Sequence, residues 1–152
     1  MIKIADERMY KAKEAYYRSS GTDRRGQRTA YDVLGQLYVK ILKVNLTYDS
    51  YSIVKAFEEE LHPEKGFDPK SISRWFRAIG SSDLIQDDDK GKFSQLMSID
   101  NLRDYFDSDE KRLVTGYKRL IGGEYKDVIL EIIPTKEFLP RNKEVFLYVR
   151  EL

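Results

Sequence analysis

The sequence predicts an α+β domain: a mostly antiparallel five-stranded sheet with short helices on one face, preceded by an N-terminal helix. Three observations carry this. Strand-type alternation clusters at two places, residues 39–57 and 112–152, rather than interleaving with helices. Helix-type spacing fills the stretch between them, with Pro and Gly punctuating it. Strands segregated from helices favour an antiparallel sheet, because parallel strands need a helical crossover after each one.

In order, Ile2, Ala5, Met9, Ala12 and Tyr16 recur at three- and four-residue spacings and predict a helix over residues 2–19. Ser19-Ser20-Gly21 is its stop, Gly21 suiting a left-handed C-cap. "TDRRGQR" is a basic linker, and residues 1–28 hold eight Lys/Arg against four Asp/Glu. That surplus reads as a solvated helix and linker; phosphate binding by Arg24, Arg25 and Arg28 is the alternative. "TAYDVLGQLY", 29–38, predicts a second short helix with Ala30, Val33, Leu34 and Leu37 on one side.

"VKILKVNL" alternates Leu42, Val44 and Leu46 against Ile41, Lys43 and Asn45, and "YSIVKAF" returns after the turn residues "TYDS", predicting a hairpin. "EEELHPEKGFDPK" is polar and broken by Pro63, Gly66 and Pro69. A helix is expected next, with Asp68 as N-cap, Pro69 at its first position, Gly80 as stop, and Ile72, Trp75, Phe76 and Ile79 on its apolar face. "QDDDKGKFSQLM" and "SIDNLRDYF" predict two more short helices, the second capped by Ser98 with Ile99, Leu102 and Phe106 inward. Residues 86–110 hold eight acids against three bases, read as a solvated face. "RLVTGYKRLI", "EYKDVILEIIPT" and "EVFLYVREL" predict three closing strands, and Gly122-Gly123 the tight turn between the first two.

Composition narrows function. The chain of 152 residues has net charge +1, which gives no reason to expect nucleic acid. It contains no cysteine, so thiol nucleophiles, cysteine-ligated zinc and iron–sulfur clusters are excluded. No run of about 18 apolar residues exists, and the charged N-terminus lacks a signal peptide's apolar core. A cytoplasmic protein without membrane contact from this segment is expected. The single histidine, His62, precludes a His pair for zinc and is expected exposed in its loop. Asp87-Asp88-Asp89 lacks the alternating ligand spacing of a calcium loop, and position twelve is Ser98. "SISRWFRAIGSSDLI" could pass for a DNA-binding helix pair, but offers only Arg74 and Arg77 and runs into acidic sequence. No metal is expected.

The order of elements over residues 30–152 resembles a PAS domain, carried by "LYVKILKVNLTYDSYSIV", "SIDNLRDYF", "GYKRLIGGEYKDVILEIIPT" and "VFLYVREL". "ADERMYKAKEAYYRSSGTDRR" resembles the last helix and exit of a GGDEF (diguanylate cyclase) domain, matching its terminal pattern at Ala5, Asp6, Met9, Tyr10 and Lys13. The organisation expected is therefore a GGDEF-like helix remnant and linker over 1–27 and a PAS-like domain over 28–152. The residues leave open whether Met1 is a native start.

The resemblance implies a non-catalytic sensory or interaction module of a bacterial cyclic-di-GMP signalling protein. Its partners would be a second copy, met through residues 28–38 and the outer sheet face, and a neighbouring GGDEF-type domain. It also implies an interior pocket, with Leu42, Val44, Trp75, Phe76, Leu102, Phe106, Leu130, Ile132 and Leu147 as candidates to line it around an unidentified small molecule; the alternative is that these nine fill a ligand-free core. Cofactors are not expected. A haem-binding PAS domain would want a histidine within 98–106, where there is none, and cysteinyl-flavin chemistry lacks its cysteine. Gly122-Gly123-Glu124-Tyr125 is similar to the Gly-Gly-acidic-acidic-Phe signature of cyclases. Tyr125, however, replaces the second acid, and the stretch follows the GGDEF-like helix when it should precede it. No catalytic residue is expected.

Overall fold

The alternation that predicts the strands places them closely. In the computed structural model, which describes residues 38–152, β1 (Lys40–Asn45) and β2 (Ser50–Lys55) form the opening hairpin. β3 (Leu113–Ile121), β4 (Glu124–Pro134) and β5 (Glu144–Glu151) form the closing meander. The predicted helix over 2–19, its stop, the basic linker and positions 29–37 of the second predicted helix lie outside the described residues, and so does the 1–27 segment.

All four strand pairings are antiparallel, in the order β2-β1-β5-β4-β3. The two terminal blocks thus join side by side through β1 and β5, from Lys40 opposite Val149 to Asn45 opposite Glu144. Period-two geometry puts Leu42, Leu147, Ile132 and Leu113 in one row across four strands. That row belongs to the core beneath the helices. Ile41, Ile133, Phe146 and Tyr148 alternate to the opposite face and are buried as well, which is why "VILEII" and "VFLYV" read as continuous apolar runs.

Gly122 and Gly123 have φ of 60° and 85°, and the β3–β4 ladder runs unbroken up to Ile121 opposite Glu124. A two-residue turn with both φ values positive matches the strand twist, and glycine adopts it without a Cβ penalty. The expected hairpin turn is therefore present.

Three helices connect the blocks: α1 (Ile72–Ser81), α2 (Asp87–Leu96) and α3 (Ile99–Tyr105). In α1, Ile72, Trp75, Phe76 and Ile79 are buried, as their spacing predicts. Its ends differ from expectation. The N-cap is Ser71, whose hydroxyl accepts the Arg74 N–H at 3.3 Å, so Asp68 and Pro69 lie outside the helix. The shift has a tertiary cause: Asp49, in the β1–β2 turn, accepts the Ser73 N–H at 2.7 Å and the hydroxyls of Ser71 and Ser73 at 2.8 Å each. Gly80 is not a stop either. It lies inside α1, where a Cβ would stand 2.6 Å from the Ser94 hydroxyl of α2, so glycine permits the two helices to approach.

The acidic first turn of α2, Asp87 to Asp89, complements the helix dipole. Asp89 also accepts the Lys118 N–H of β3 at 2.8 Å. Ser98 caps α3 as predicted, accepting the Asn101 N–H at 3.2 Å. Before α1, the polar segment forms two 3-10 turns, Glu58–Glu60 and Pro63–Lys65. No helix among the described residues is long and apolar enough to cross a membrane.

Candidate functional site

The nine pocket candidates meet in one place. Leu42 and Val44 come from β1, Leu130 and Ile132 from β4, Leu147 from β5, Trp75 and Phe76 from α1, Leu102 from α3, and Phe106 from its C-cap. All belong to a single buried cluster and none is more than 4% exposed. Trp75 is its hub, with Tyr51, Phe67 and Phe76 at ring-centroid distances of 5.4, 6.1 and 6.3 Å. Of the nine, Phe76 also reaches a groove of about 440 Å³ between α1, α2 and α3, where Ser73, Arg77, Ser94 and Asp100 supply polar groups. His62 is partly exposed and sits 3.1 Å from Glu64.

The same interior holds a charged cluster that the apolar pattern does not announce. Lys40, Glu60 and Arg119 are at most 2% exposed. Glu60 arrives on the first 3-10 turn, and its two carboxylate oxygens take one cation each: Lys40 Nζ at 2.7 Å and Arg119 Nη2 at 3.0 Å. The strands carrying those cations lie three places apart in the sheet. Glu60 therefore ties β1 to β3 from above, over the strands between them.

Each cation is also covered by a ring, Lys40 Nζ 4.5 Å from the Trp75 ring centre and the Arg119 guanidinium 3.9 Å from that of Phe57. The Trp75 indole N–H donates to the Glu60 carbonyl at 3.1 Å, which fixes the turn. Arg119 also donates from Nη1 to the Leu120 carbonyl.

Burial lowers the Lys40 pKa, opposed by the Glu60 carboxylate and assisted by the Arg119 charge. Burial, with the charges of Asp68 and Glu60, pushes the Tyr51 phenol up to about 12. Tyr117, on the same face of β3 as Arg119, is pushed up further by burial and by Glu60. Beside the charged cluster, the Arg119 Nε–H and the Tyr117 hydroxyl are buried without a hydrogen-bond partner. Glu59, 51% exposed at its side chain, is a second and longer ion-pair partner of Arg119, 4.0 Å from Nη1.

Sequence reasoning passed over this cluster, although part of its signal was present. Lys40 shares the strand parity of Leu42 and Val44, and Arg119 that of Leu113 and Tyr117, so each is a charge at an inward position. Nothing in "EEE" marks Glu60 as the glutamate that turns in. Among the described residues no group of three or more His, Asp or Glu side chains is placed to hold a metal ion.

Neither a protein-family model nor a curated protein matches the chain.

Proposed function

We propose that residues 28–152 are a non-catalytic PAS-type sensory or interaction module of a cyclic-di-GMP signalling protein, binding a small molecule in the core and working as a dimer beside a GGDEF-type domain. The observation that carries this is the β1–β5 pairing. It closes an opening hairpin and a closing meander into one five-stranded antiparallel sheet with all three helices over one face, the arrangement a PAS domain requires. Support for the signalling context comes from "ADERMYKAK", residues 5–13 of which follow the terminal GGDEF pattern; these residues lie outside those the structure describes. The nine pocket candidates are the proposed ligand wall. Dimerisation and a cytoplasmic location belong to the same proposal.

One observation favours a second reading, a ligand-free dimerisation or scaffold module: the nine candidate side chains pack into one continuous core. A single set of measurements separates the two. Purified full-length chain is unfolded and searched by mass spectrometry for a released small molecule, then screened by thermal shift against metabolites. The sensory reading expects a released compound, or a midpoint rise of a few degrees for one chemical class, since saturating ligand at about 100 times its Kd stabilises by about 2.7 kcal/mol. No compound and no shift, with a dimer mass by light scattering, selects the scaffold. GTP turnover by the chain overturns both.

A further inference from the structure

We propose that the groove between α1, α2 and α3 is a binding site for a short apolar peptide with free termini, of dipeptide size. The site shares only Phe76 with the core wall of the sensory reading and does not depend on that reading.

Two separate stretches build the groove. On α1, Ser73, Phe76 and Arg77 stand at three- and four-residue spacings and line one side. The opposite wall is the α2–α3 junction, from Ser94 to Asp100. Gly80 sets the spacing of the walls. A Cβ there would stand 2.6 Å from the Ser94 hydroxyl, so α1 and α2 meet at that point and leave the space beside it. Its volume, about 440 Å³, lies within the roughly 300–1,000 Å³ of small-ligand sites. The walls are held before any ligand arrives. Asp49 fixes Ser73 through its N–H and hydroxyl, and Phe76 and Met97 are anchored in the core.

The groove carries one exposed charge of each sign on opposite walls, Arg77 on α1 and Asp100 on α3. They do not pair with each other, and neither has an ion-pair partner among the described residues. Arg77 donates only from Nε, to the Ser73 carbonyl of its own helix at 3.5 Å, so both Nη groups stay open. Arg74, on the same helix, is by contrast engaged by Asp68 at 3.1 Å.

A guanidinium suits a carboxylate, and Asp100 suits an ammonium. An occupant that answers both is anionic at one end and cationic at the other. Because the two charges stand on opposite walls, those of the occupant must be separated, whereas a free amino acid carries both on one carbon. Between them lie the hydroxyls of Ser94 and Ser98 and the half-buried side chain of Ile99. A peptide bond offers the hydroxyls a donor and an acceptor, and an apolar side chain covers Ile99. A simple anion would answer Arg77 alone and bring a like charge beside Asp100.

The test is calorimetric titration of the full chain with leucyl-leucine, its N-acetyl form, its C-terminal amide and free leucine. Leucyl-leucine is expected to bind saturably, and each blocked form about fivefold more weakly, the scale of one solvent-exposed ion pair. Arg77→Gln is expected to erase the preference for the acid over the amide and to keep that for the free amine; Asp100→Asn is expected to do the reverse. Both side chains are exposed, so both variants are expected to melt at the wild-type midpoint. Amide proton–nitrogen spectra are expected to shift at Arg77, Ser94 and Ser98 when leucyl-leucine is added.

No saturable binding of leucyl-leucine overturns the site, as does free leucine binding as tightly, or a preference for the acid that survives Arg77→Gln. Shifts centred on Leu130 and Leu147, with Ser94 and Ser98 unmoved, place the peptide in the core and overturn the groove. Peptide binding with the expected discrimination, in a chain that releases no compound from its core, supports the groove and leaves the core reading to fail alone.

Discussion

Glu60 has a side chain that is fully buried between two cations, and the neighbouring Glu59, half exposed, reaches only Arg119, at 4.0 Å. Removing one member of such a group leaves uncompensated charge in a poor solvent for it. Glu60→Gln is expected to cost about 3–5 kcal/mol, read as a lower urea midpoint. Lys40→Met should cost less, because Glu60 keeps Arg119 and the methionine fills the space beside Trp75. If Glu60→Gln unfolds at the wild-type midpoint, the cluster contributes nothing to stability. At this scale the sequence is half legible. Strand parity points Lys40 and Arg119 inward, whereas the choice among Glu58, Glu59 and Glu60 depends on how a broken, polar segment lies over the sheet.

The elements are legible in kind and less so at their ends. The start of α1 shows why. Asp68-Pro69 is a good local start signal, yet Asp49 of another element gathers Ser71 and Ser73 and moves the start to Ile72. Asp49 itself sits at φ 54°, a left-handed position that Asn or Asp adopts more readily than most residues. Burial would raise its pKa. The bonds from the Ser73 N–H and the two hydroxyls, with the Arg103 charge, outweigh burial and lower it. A carboxyl with a depressed native pKa stabilises the fold fully above its ordinary value of 3.8, and that contribution is lost as pH falls through the native value. Asp49→Asn should therefore cost about 1 kcal/mol at neutral pH. The difference from wild type should shrink as urea melts are repeated at acid pH; a difference constant with pH would remove the charge from the explanation.

Over the whole molecule, the decisive contact joins the ends of the described region. Lys40 pairs with Val149 across more than a hundred residues, and Val39–Leu152 form one compact unit around one core. Trp75, the sole tryptophan, is fully buried at its hub and reports on the entire cluster. Tryptophan fluorescence and the infrared sheet band are expected to change at the same urea concentration, and Leu42→Ala to lower both midpoints together, at a stability cost of about 2–5 kcal/mol. Separated transitions would mean that hairpin and meander are independent units. Long-range pairing of this kind also favours slow folding, because the loop must close before β1 and β5 gain any contact.

The sequence by itself determined the α+β class, the five strands, the three helices and the Gly122–Gly123 turn. Each follows from side-chain periodicity or from φ restrictions acting within a few residues. It also determined the composition of the core, since an inward apolar parity is a local property. Tertiary structure alone decided the strand order, the true start of α1, the interior position of Gly80 and the meeting of Lys40, Glu60 and Arg119. Those depend on which segments distant in the chain become neighbours, and no local periodicity encodes that.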